Sequence, residues 1–99
     1  MKPIDVSQCR VQILVCANER DEGKMACRQN GGREFFLRLK DRARAEGKLS
    51  THWITMTRCL GFCNPVGTTI VLHAPNEDAQ WFNEVVAEDF DKIWAKISG

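Results

Sequence analysis

The chain has 99 residues, 43% hydrophobic and 27% charged, with a formal net charge of +1 and five cysteines. That length suits one domain, residues 1–99, with a modest core. The near-neutral charge argues against nucleic acid or an anionic membrane surface as partner. The longest apolar run, Ile13–Ala17, is far too short to span a bilayer. Residues 1–10 show neither the apolar stretch nor the small-residue cleavage site of a secretory leader. A cytoplasmic location is therefore expected. In that reducing setting a high, odd cysteine count points to metal binding or redox chemistry rather than to structural disulfides.

In chain order, Val11, Ile13 and Val15 open a short apolar run that reads as a buried strand ending near Cys16. Residues 17–30 are polar, contain Asp21-Glu22-Gly23 as a turn signal, and form a loop of functional length. Gly31-Gly32 ends it. Arg33–Glu46 places Phe35, Phe36, Leu39 and Ala43 at helical spacing, with Gly47 as a C-terminal stop. His52–Arg58 is rich in strand formers and runs into Cys59. Residues 60–67 contain Gly61, Pro65 and Gly67 and read as a loop. Thr68–Ala74 and Gln80–Val85 form a hairpin around the turn Pro75-Asn76-Glu77-Asp78. From about Ala87 a second helix is expected. Val86, Phe90, Ile93, Trp94 and Ile97 lie on one of its faces, with acids early and lysines late.

The element order is βαβ–ββα. Strands joined by a helix are most simply parallel, through a right-handed crossover. The expected class is α/β, a mixed four-stranded sheet with two main helices, an order shared with the thioredoxin-like fold.

Four cysteines converge in this arrangement. Cys16 and Cys59 end two parallel strands and so share the carboxyl edge of the sheet, where α/β proteins build their sites. Cys27 lies in the loop that follows Cys16. Cys63 follows Cys59 after three residues, among them Gly61. A set of four cysteine thiolates holds either a [2Fe–2S] cluster or structural zinc. Structural zinc commonly uses two tight knuckles, whereas here ten residues separate the first pair and only the second is tight. Iron is favoured, with zinc left open.

The stretch VCANERDEGKMAC, then Gly31-Gly32, then CLGFC followed by Pro65 and Gly67, resembles the thioredoxin-like [2Fe–2S] ferredoxins. The same module is found in the small flavoprotein-partner subunit of respiratory NADH dehydrogenase and in hydrogenase subunits. The likeness runs from the first strand through Trp81-Phe82 to Glu88-Asp89-Phe90. It implies a thioredoxin-like fold and a [2Fe–2S] cluster, with Cys16 and Cys27 on one iron and Cys59 and Cys63 on the other. It also implies a homodimer, with residues such as Trp81 at the contact. Where the family often has Gly-Pro after the last cysteine, this chain has Asn64-Pro65-Val66-Gly67. The expected function is one-electron transfer to an unidentified redox partner, by a carrier rather than an enzyme. The alternative is a zinc- or cluster-stabilised module without redox function: a scaffold, a cluster sensor or a cluster donor.

The remaining candidates read as structural. Cys9 stands outside both motifs, as a partly buried thiol. His52 and His73 read as surface or interface residues of strands rather than as metal ligands. Trp53, Trp81 and Trp94 read as core or contact residues. No Cys-x-x-Cys pair is present for disulfide exchange. Arg20, Lys24, Arg28, Arg33 and Arg58 alternate with acids and read as a solvated rim, with recognition of a redox partner as their functional alternative.

Overall fold

The structure, a computed structural model, describes residues 1–17, 31–58 and 67–97. The elements are β1 (Val11–Cys16), α1 (Gly32–Ala45), β2 (His52–Thr57), β3 (Thr68–His73), β4 (Gln80–Val85) and α2 (Phe90–Ile97). A single 3-10 turn, Ala87–Asp89, leads into α2. The sheet order is β2-β1-β3-β4. β1 and β2 are parallel, and β3 lies antiparallel to both β1 and β4. The expected α/β class, the parallel first pair and the hairpin are all present.

Burial follows position in the sheet. β1 and β3 are central, and in β3 residues 68–72 are all buried. β4 is an edge strand, and only Val85 in it is buried. Both helices share one core with the sheet. Val11, Ile13, Val15, Ile54, Ile70 and Leu72 meet Phe35, Leu39 and Ala43 of α1 and Phe90, Ile93, Trp94 and Ile97 of α2. The four-residue spacing of Phe35, Leu39 and Ala43 explains why α1 turns that stripe inward. Phe35 packs on Phe90 with ring centroids 5.4 Å apart, and the Arg38 guanidinium lies 4.2 Å above the Phe90 ring. The two helices are thus clasped by aromatic contact as well as by burial.

The ends of α1 are set locally. Gly47, at φ +67°, donates its N–H to Arg44 O, and Lys48 donates to Ala43 O at 2.8 Å. This paired pattern satisfies the last carbonyls of the helix and needs a residue at ease in the left-handed region. At the start of α2, Asp89 accepts the Val86 N–H at 3.1 Å.

His52 departs from its expected surface position. It is 3% exposed, its Nε2 donates to Ile97 O at 2.7 Å, and its Nδ1 lies 2.9 Å from the Thr51 hydroxyl. The residue that opens β2 therefore ties down the last turn of α2, a link between distant segments that a strand pattern does not reveal. His73 is exposed, as expected. Among the tryptophans, Trp94 is core, whereas Trp81 is 54% exposed on β4. Cys9 is buried rather than partly buried, and its N–H donates to Val6 O in the N-terminal turn.

Candidate metal centre

Of the four predicted ligands, Cys16 lies among the described residues; Cys27, Cys59 and Cys63 lie outside them. Cys16 is the last residue of β1, a free thiol only 1% exposed. Strand alternation puts it on the side of Gln12 and Leu14, opposite Val11, Ile13 and Val15. Buried as it is, it does not belong to the helix-covered core. It sits at the carboxyl edge of the sheet, outside the cluster that the sheet shares with the helices.

The register sets it level with the end of β2, which precedes the second cysteine pair in the sequence. Cys16 stands opposite Thr57, the last residue of β2. Cys59 follows Thr57 by two positions, so the chain enters the second motif from the level of Cys16. The Ala17 N–H donates to Thr57 O at 3.0 Å and carries the parallel ladder one step past Cys16. On the other side Thr68, the first residue of β3, donates its hydroxyl to Cys16 O. Gly67 precedes it at the exit from the second cysteine segment. A Cβ there would lie 2.3 Å from Val85 O, so the backbones of β4 and of this residue approach more closely than any side chain allows.

That close approach accompanies an irregularity in the β3–β4 pair. Thr68 pairs with Val85 but Ile70 pairs with Phe82, which leaves an extra residue on β4. Glu84 takes φ +54° there, and the Asn83 side-chain oxygen accepts from the Glu84 N–H at 2.9 Å and from the Thr69 hydroxyl at 3.1 Å. The bulge bends β4 against the start of β3.

Cys16 suits the four-thiolate set in chemistry and in placement. It is a soft sulfur donor, unbonded to another cysteine, at the edge where the approach to the second motif begins. Among the described residues no group of three or more histidine, cysteine, aspartate or glutamate side chains forms a competing metal site. The strand-end placement of Cys16 was legible in the sequence. The threonines that hold its peptide were not, nor was the close approach of Gly67 to β4, because in a sequence these residues read only as strand formers and a loop signal.

The wild-type thioredoxin-like [2Fe–2S] ferredoxin of Aquifex aeolicus matches this fold with a TM-score of 0.73 at 28% identity, over 89% of this chain and 84% of that one. The chain is similar to the thioredoxin-like [2Fe–2S] ferredoxins. Two cysteine-to-serine variants of the same ferredoxin match as well. One has a TM-score of 0.72 at 28% identity, the other 0.71 at 27%, each over 87% of this chain and 84% of that one. The cysteines exchanged in those two ferredoxin variants stand four positions apart, the spacing of Cys59 and Cys63 here. No family model and no curated protein matches the chain. The fold is thioredoxin-like, and at the level of the fold the likeness supports an iron–sulfur electron carrier. Among the described residues no helix is long and apolar enough to cross a membrane.

Proposed function

We propose that the chain is a [2Fe–2S] ferredoxin, a one-electron carrier rather than an enzyme, with Cys16, Cys27, Cys59 and Cys63 as its cluster ligands. The observation that supports this reading is the register of Cys16 against Thr57, which sets Cys16 level with the end of β2 two positions before Cys59 in sequence, in a fold similar to that of a [2Fe–2S] ferredoxin over most of both chains. Cys16 and Cys27 would hold one iron, and Cys59 and Cys63 the other. When bound, such a cluster supplies a reversible ferric–ferrous couple at one iron.

The chain's own residues would then position and shield. β1 and β2 present Cys16 and the approach to Cys59 at one level, the hydrogen bonds at Ala17 and Thr68 hold the Cys16 peptide, and burial keeps water from its sulfur. The rim beside this edge includes Arg58, exposed after β2, and Arg33, exposed in the first turn of α1. These charges suit a redox partner with an acidic docking face. A homodimer is proposed as well, with the exposed Trp81 of β4 at its contact.

The test is reduction of anaerobically purified protein by dithionite, followed by electron paramagnetic resonance and by optical titration of the couple. A ferredoxin gives one unpaired spin per reduced cluster and a reversible couple. A spectrum that bleaches and does not return on reoxidation would overturn the carrier reading.

A further inference from the structure

We infer that Thr68 is a positioning residue for Cys16, holding the ligand's peptide by a side-chain hydrogen bond at the point where the sheet's own ladder ends. The inference rests on the ferredoxin reading for its redox consequence, and on geometry for the rest.

The β1–β3 ladder pairs Gln12 with His73, Ile13 with Leu72, Leu14 with Val71 and Val15 with Ile70. Cys16 lies one residue beyond the last of these pairs. Its carbonyl would be left without a partner on the β3 side, and a buried carbonyl without a donor is costly. The Thr68 hydroxyl fills that place, donating to Cys16 O. Both residues are shut away from water: Thr68 is 0% exposed and Cys16 1%. Across the same peptide unit, the Ala17 N–H donates to Thr57 O at 3.0 Å.

A continuous chain results, from the Thr68 hydroxyl through the Cys16–Ala17 peptide to the Thr57 carbonyl. It links the start of β3, the end of β1 and the end of β2. Hydrogen bonds in series through one peptide polarise each other. This chain joins the segment leaving the second cysteine motif to the segment entering it, with the first ligand's peptide between them.

Thr68 is itself held firmly. It pairs with Val85 across the β4 bulge, and Gly67 before it is pressed against the β4 backbone. The donor is thus fixed in place rather than swinging on a loop. Outer partners that orient a metal ligand commonly change metal affinity by about 10–100-fold when removed.

The test compares Thr68→Val, which keeps the shape and removes the hydroxyl, with Thr68→Ser, which restores a hydroxyl. Leu72→Val serves as the control, since it loosens the buried packing of β3 opposite Ile13 and touches no hydroxyl. Three quantities are read: iron release to a ferrous chelator, the midpoint potential, and the rate at which iodoacetamide alkylates Cys16 in metal-free protein, mapped by mass spectrometry. Thr68→Val is expected to release iron about tenfold faster, to shift the potential, and to alkylate Cys16 faster. Thr68→Ser should return each toward wild type, and Leu72→Val should leave each unchanged. Thr68→Val behaving as wild type in iron release and alkylation overturns the inference. So does Leu72→Val matching Thr68→Val, which would mean general loosening of β3. If wild-type protein carries no iron, the ferredoxin reading falls on that result. Alkylation of Cys16 then decides by itself whether Thr68 positions the residue, and an unchanged rate rejects it.

Discussion

Gly67→Ala tests how tightly the start of β3 is seated. A Cβ at Gly67 would lie 2.3 Å from Val85 O and 2.8 Å from the carbonyl carbons of Glu84 and Val85, all of them backbone atoms. To reach even 3.0 Å, the shortest separation real Cβ atoms tolerate, the two backbones must part by about 0.7 Å, from 3.0 less 2.3. No flexible side chain can give way instead, so the cost belongs in the upper part of the overpacking range, about 2–3 kcal/mol. Alanine recovers about 0.4–1 kcal/mol by restricting the unfolded chain, which leaves a net loss of about 2 kcal/mol. Unfolding entropy of about 2.1 cal/mol/K per residue makes about 0.2 kcal/mol/K for a chain of this length, so Tm should fall by about 10 °C. Gly47→Ala is the comparison. It meets open space but sits at φ +67°, and should cost about 1 kcal/mol, or about 5 °C. Far-UV circular dichroism melts under anaerobic conditions read both. If Gly67→Ala melts within about 2 °C of wild type, the close approach of β3 to β4 is wrong.

Three further outcomes are expected. His52→Phe keeps a ring beside Trp94 but removes the donor to the Ile97 carbonyl; urea unfolding should show a loss of about 1–3 kcal/mol, and an unchanged midpoint would count against that link. Trp81→Lys replaces an exposed residue and should shift stability by no more than about 0.5 kcal/mol, while sedimentation moves the protein from dimer to monomer; a variant that stays dimeric removes Trp81 from the contact. For Glu46, the hydrogen bond from Arg42 holds the carboxyl below its ordinary value of 4.5, helped by the charges of Arg42 and Lys48. A carboxyl lowered in the folded state contributes stability above its unfolded value and loses it as pH falls through the folded one. Glu46→Gln should therefore flatten the stability curve below about pH 4.5 and leave its shape above that unchanged; an identical acid limb in both proteins would contradict the assignment.

Much of this architecture was legible in the sequence because its signals are local. The alternation in β1, the four-residue stripe of α1 and the turn before β4 each fix an element by period or by breaker residue. Observed element limits fall within one residue of those expected for β2, α1 and β3, and coincide for β4. The strand-end position of Cys16 followed from the same pattern. Less legible were features that depend on long-range contact. Nothing near His52 announces Ile97, 45 positions away. Nothing near Thr68 announces Cys16, 52 positions away. The bulge at Asn83–Glu84 was equally hidden, since its φ > 0 residue is a glutamate rather than the glycine that usually marks such a turn. The order β2-β1-β3-β4 also had to come from the structure, because a hairpin can add to either side of a parallel pair.

Four cysteines holding a two-iron cluster are open to direct measurement. The most direct measurement is the visible spectrum of protein purified without oxygen, with iron, acid-labile sulfide and zinc determined on the same sample. Sulfur-to-iron charge-transfer bands that bleach with dithionite are expected, with about two irons and two sulfides per chain. A colourless protein carrying one zinc and no sulfide would contradict the two-iron cluster and turn the same cysteines into a structural site.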